Sequence, residues 1–126
     1  MPTRRQEKVA RVIREVVSDV IANHLSDPRI TGFVSVTRVE VTADLRSAEV
    51  YLSIFAADES AKDRTFAAIT HARTRVQSYL AEALDSKFCP VLRFHEDEQF
   101  RKTLEVMKLI DQVANERQNK DTDPQE

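Results

Sequence analysis

A chain of 126 residues, 41% hydrophobic and 32% charged, is long enough to bury one real core and too short for two comfortable domains. Its apolar runs of a few residues exclude a membrane-spanning helix, its first residues lack the apolar segment of a secretory signal, and the lone Cys89 excludes an intramolecular disulfide and fits a reducing cytoplasm. The net charge of -2 hides an asymmetry. Residues 1–14 carry Arg4, Arg5, Lys8, Arg11 and Arg14 against Glu7, whereas the segment from Asn115 carries Glu116, Asp121, Asp123 and Glu126 against Arg117 and Lys120. One basic end and one acidic end hint at nucleic acid more than the sum does.

The first expected helix runs from Thr3 to His24. Val9, Val12, Ile13, Val16, Val17 and Val20 recur at steps of three and four and share one face. Arg4, Lys8 and Arg11, at i, i+4 and i+7, form a stripe on roughly the opposite face. Asp27-Pro28 then stops the helix, because proline lacks an amide donor and biases the residue before it away from helical angles. Gly32, the only glycine, lets the chain turn. Asp27, Pro28 and Gly32 read as structural, and Arg29 stays without an assigned role.

"FVSVTRVEV" (33–41) and "AEVYLSIF" (48–55) are expected strands. The alternation in the first changes phase near Thr37-Arg38, where a β-bulge would reset it, and "TADLRS" joins the two through a wider loop with Asp44 as a turn residue. "AADESAKD" (56–63) reads as a loop. From Arg64 to Asp85 helical spacing returns, with Ile69, Ala72, Val76, Leu80, Ala83 and Leu84 on one face and a kink expected within "THARTRVQ". "KFCPVLRF" (87–94) is a short third strand in which Pro90 needs an edge or a strand start. Asp97 can cap a last helix over about 98–114, with one apolar stripe of Phe100, Leu104, Met107 and Ile110 and a second of Val106, Leu109 and Val113.

One glycine leaves no room for a glycine-rich phosphate loop or a dinucleotide fingerprint. His24, His71 and His95 fit no metal spacing, Cys89 reads as a small core residue, and the carboxylates of "HEDE" (95–98) suit a helix N-terminus. No constellation argues for catalysis. Three groups of cations remain: the stripe of Arg4, Lys8 and Arg11; Arg73 and Arg75 near the kink; and Lys87 with Arg93 around the third strand. Such groups neutralise phosphates when they converge on one surface.

In this order and spacing, "DPRI" (27–30) after a basic helix, "VSVTRVEVTADLRSAEVYLSIF" (34–55), "CPVLRF" (89–94) and Asp97 resemble the ribosome-binding factor A family over about residues 3–110. The resemblance implies an α+β fold, a type II KH-like domain with a three-stranded sheet packed by helices, a helix–kink–helix and an extra C-terminal helix. The family usually carries Ala-x-Gly at the kink, where this chain has Ala72-Arg73-Thr74. A single domain is expected over 1–114 and a polar, disordered tail over 115–126. The resemblance further implies a non-enzymatic, cytoplasmic, monomeric factor without a cofactor, small-molecule substrate or membrane. Its partner would be the free small ribosomal subunit and its ribosomal RNA, bound late in assembly in support of 5′-end processing and of growth in the cold. RNA-binding residues are expected to be Arg4, Lys8, Arg11, Arg73, Arg75 and Lys87. The alternative is a protein-interaction module docking a partner through the two-striped C-terminal helix.

Overall fold

The structure is a computed structural model and describes residues 2–84, 89–97 and 106–115. Thr3 starts helix α1 (Arg4–Asn23) with a reciprocal cap: its hydroxyl accepts from the Gln6 amide (3.2 Å), and the Gln6 side chain accepts from the Thr3 amide (2.8 Å). Ile13, Val17, Val20 and Ile21 form the fully buried part of its apolar face. Valines are mediocre helix formers, so packing rather than propensity holds this face.

Strands β1 (Phe33–Val41) and β2 (Ser47–Phe55) pair antiparallel, and the register shifts between Val36 and Arg38. Thr37 is the extra residue. Because of it Val36 pairs with Leu52 and Val39 with Val50, so valines from both phases meet the apolar side of β2. Asp44 holds the connecting loop, accepting from the Thr42 hydroxyl (2.7 Å) and the Arg46 amide (3.1 Å), and those bonds lower its pKa from the ordinary carboxylate value. Leu45 takes the left-handed conformation there, with φ 60°.

Helices α2 (Glu59–His71) and α3 (Arg73–Leu84) are separated by Ala72 alone, inside the stretch where the kink was expected. α2 begins five residues earlier than Arg64. The Asp58 carboxylate caps it by accepting from the Ala61 amide (2.7 Å), and its first turn buries Ala61 and the stem of Lys62. Strand β3 (Val91–Glu96) runs parallel to β2, so the sheet order is β1-β2-β3 and α2–α3 form the crossover a parallel pair needs. Pro90 precedes β3, where its missing N–H removes no ladder bond.

Ile13, Val17 and Val20 of α1, Val36, Val50 and Leu52 of the sheet, Ile69, Val76 and Leu80 of α2 and α3, and Leu92 of β3 make one core. The element order α1-β1-β2-α2-α3-β3 is that of a type II KH-like domain, and residues 106–115 add a further helix. Whether Asp97 caps that helix, and where its Phe100 and Leu104 lie, falls outside the described residues, as do Lys87 and the tail after Asn115.

Side chains complete both sides of the sheet. The Gln6 amide donates to the Val41 carbonyl (2.9 Å) and the Arg14 guanidinium to the Thr37 carbonyl (3.1 Å). On the other side Gln77 of α3 donates to the Pro90 carbonyl (2.8 Å) and accepts from the Leu92 amide (2.7 Å), as a neighbouring strand would.

Candidate nucleic-acid interface

Between α1 and β1 lies an elbow, residues 24–32, that sets the geometry of one basic region. Gly32 has φ 76° and sits so close to β2 that a β-carbon there would be 2.0 Å from the Phe55 carbonyl oxygen. The buried Thr65 hydroxyl ties the elbow to α2. It accepts from the Thr31 amide (3.3 Å), and the carbonyls of Ala61 (2.8 Å), Arg29 (3.1 Å) and Thr31 (3.4 Å) are the acceptors within reach of its proton. Asp27 takes the Arg29 backbone amide (2.9 Å) on one side and the guanidinium on the other (Nη2–Oδ2 2.7 Å, Nε–Oδ1 3.1 Å). The Arg29 side chain is the main cause that lowers the Asp27 pKa from 3.8 to about 2, followed by its backbone amide, with His71 adding a smaller push.

The α1 stripe stands at the far end. Arg4, Lys8 and Arg11 are exposed and form no ion pair among the described residues, and neither does Arg5. Placing Arg4 and Arg5 in the first turn opposes the helix dipole, so this terminus offers a positive field with only Glu7 against it. Arg73 and Arg75 are likewise exposed and unpaired among the described residues, at the start of α3. Arg75 lines a cleft of about 680 Å³ with Leu25, Asp27, His71, Thr74 and Ser78. His24, at the end of α1, stacks on Tyr79 of α3 (4.8 Å between ring centres). The stripe and the break therefore lie at opposite ends of α1, with about 20 Å of helix from Arg11 to His24. Of the six expected residues the structure brings Arg4, Lys8 and Arg11 together, and Arg73 with Arg75, but leaves these two groups apart.

Other cations are already engaged. Arg38 lies over the Tyr51 ring (4.0 Å) and pairs with Glu40 (3.3 Å); Tyr51 stacks on His95 (5.1 Å), which pairs with Glu49; Arg93 is 4.0 Å from Glu49. Lys62 is buried against Glu96. Arg64 is different: exposed, without an ion pair among the described residues, and beside the elbow. The sequence did carry a partial signal for it, since Arg64 and His71 stand at i and i+7, the spacing of one face of α2.

Among the described residues no group of three His, Cys, Asp or Glu side chains could hold a metal, and no helix is long and apolar enough to cross a membrane. Burial pushes the Cys89 thiol pKa up, with the Gln77 amide bond opposing it. In the helix at 106–115 the described members of both stripes are exposed: Met107 and Ile110 of the first, and Val106, Leu109 and Val113 of the second.

Comparison with known proteins is consistent along the chain. The family profile described as ribosome-binding factor A matches residues 5–110. A ribosome-binding factor A of Thermomicrobium roseum is 36% identical over 118 residues, covering 94% of this chain and 90% of that protein, and one of Chloroflexus aggregans is 37% identical over 118 residues, covering 93% and 91%. A Thermotoga maritima solution structure, described as a putative ribosome binding factor A, superposes with a TM-score of 0.66 at 27% identity over 78% of this chain and 92% of that one. A homology model of the Thermus thermophilus ribosome binding factor A, fitted into the cryo-EM map of a 30S complex, aligns with a TM-score of 0.53 at 25% identity over 74% of this chain and 91% of that one.

Proposed function

The chain belongs to the ribosome-binding factor A family, and from that premise we propose that it is a non-enzymatic assembly factor that binds the free small ribosomal subunit. Its role is in late maturation, including 5′-end processing of the small-subunit ribosomal RNA, and in growth in the cold. It acts in the cytoplasm as a monomer, without a cofactor or small-molecule substrate, as one domain over residues 1–114 followed by a polar tail. The observation that carries this reading is the fold shared with a homology model of a Thermus family member that has been fitted into the map of a 30S complex.

Contact with RNA is made through phosphates, by Arg4, Lys8 and Arg11 first, and by Arg73, Arg75 and Lys87 as a second group. The support is exposure without neutralisation: Arg4, Lys8, Arg11, Arg73 and Arg75 are exposed and have no carboxylate partner among the described residues, a state they share with Arg5, Arg46 and Arg64. Co-sedimentation with small subunits, large subunits and complete ribosomes across a salt series tests it. Binding is expected to be selective for free small subunits and to fall steeply with salt. The folded triple variant Arg4→Glu, Lys8→Glu, Arg11→Glu should bind at least about tenfold more weakly; unchanged binding would remove the stripe from the interface.

The open apolar residues of 106–115 favour a second reading, a module that docks a protein partner. Binding that persists at high salt and is lost with Leu109→Asp would favour it over phosphate contact.

A further inference from the structure

Arg29 and Arg64 come from segments 35 residues apart, and the fold sets them on one groove of about 260 Å³ with Pro28 and Thr31. We infer that these two guanidinium groups form a phosphate clamp on the elbow, an RNA contact additional to the α1 stripe and to the α2–α3 break. The inference rests on the proposed binding to the small subunit. Its geometry begins with Thr65, whose buried hydroxyl fixes the Arg29 and Thr31 backbone against α2 and so brings the adjacent Arg64 to the rim.

Asp27 does not consume Arg29. A guanidinium has five N–H donors; the contacts to Asp27 use the Nε donor and one on Nη2, leaving three. The carboxylate holds the fork in one orientation, so a ligand meets an arginine whose rotamer freedom is already restricted. Arg64 brings a second fork and no partner of its own among the described residues. Two planar forks match the oxygens of a phosphate or of two neighbouring phosphates. Among the groove's lining residues only Arg29 and Arg64 carry charge, and both are cationic, so it suits an anionic group such as a phosphate.

The test uses the full chain against purified small subunits and against protein-free small-subunit ribosomal RNA, each across a salt series. Arg64→Glu carries the decision, because Arg64 holds nothing in the fold that its loss would release. It should weaken binding to both by about tenfold at moderate salt and make the log–log salt slope shallower by about one. Arg64→Lys should restore the slope and only part of the affinity, since it keeps the charge and loses the fork. Unchanged binding by Arg64→Glu, with the wild type bound and the α1 triple variant weakened, overturns the clamp and leaves the proposed function standing. Weakening on particles but not on bare RNA also overturns the phosphate assignment, in favour of an acidic protein surface. A wild type that binds neither overturns the proposed function itself.

Discussion

Replacing Gly32 by alanine adds one carbon where φ is 76° and sets it 2.0 Å from a backbone oxygen of β2. The left-handed conformation alone costs an alanine roughly 1–2 kcal/mol. The obstructing atom is main chain, so no rotamer change relieves it. Gly32→Ala should lose about 3 kcal/mol or more in urea unfolding, and a loss below about 1 kcal/mol would mean that the elbow can move away from Phe55. Asp27 gives a second expectation, in pH. Its folded pKa of about 2 lies below the ordinary 3.8, mainly because of the Arg29 bond. The associated stabilisation is complete above 3.8 and disappears as pH falls through 2. Asp27→Asn should therefore lower the urea midpoint at neutral pH, modestly because Arg29 is exposed, leave it unchanged near pH 2, and so flatten its acid dependence between pH 4 and 2.

The break between α2 and α3 needs no glycine. Ala72 has φ -83° and ψ 8°, and its amide still reaches the carbonyls of Ala68 (3.0 Å) and Ile69 (3.1 Å). Thr74 lies past the break in the first turn of α3, exposed, and is not among the residues with positive φ. Thr74→Gly, which tests the glycine that the family resemblance implies here, should change stability by no more than about 0.5 kcal/mol, the difference in helix propensity; a gain above 1 kcal/mol would show strain at this turn. The kink was readable because Thr70, His71 and Thr74 interrupt good helix formers. The bulge at Thr37 was readable because valines change phase across it. The start of α2 was not, although Asp58 offered a cap, because Glu59, Ser60, Lys62 and Asp63 look solvated. Lys62 is buried with its ammonium group met by Glu96, far along the chain, and by Glu59 one turn away (3.9 Å).

Among the described residues, α1 acts as a spacer between the stripe of Arg4, Lys8 and Arg11 at its start and the elbow at its end, with about 20 Å of helix from Arg11 to His24 between them. Such a separation suits a surface on which two segments of RNA backbone run some distance from each other, and it lets the two sites contribute nearly independently. Combining the α1 triple variant with Arg64→Glu should then give losses that multiply in affinity, which the same sedimentation series reads directly. Sequence spacing identified the stripe, because i, i+4, i+7 projects onto one face whatever the fold. It could not show that Arg93 would be occupied by Glu49, since that pairing exists only once β2 and β3 are in register; Arg38 and Glu40 stand two residues apart on one face of β1, a pairing the strand alone allows.

The amides of Gln6 and Gln77 and the guanidinium of Arg14 take hydrogen-bonding positions along the two outer strands that an incoming strand would use. A small sheet left open at its margins is a template for polymer growth. Here those margins are obstructed by groups borrowed from helices, which occupy them only once the helices have packed on the sheet. Protection against fibre formation and completion of the native fold are thus one event, and a chain crowded among its own copies is exposed to mispairing only until α1 and α3 have docked.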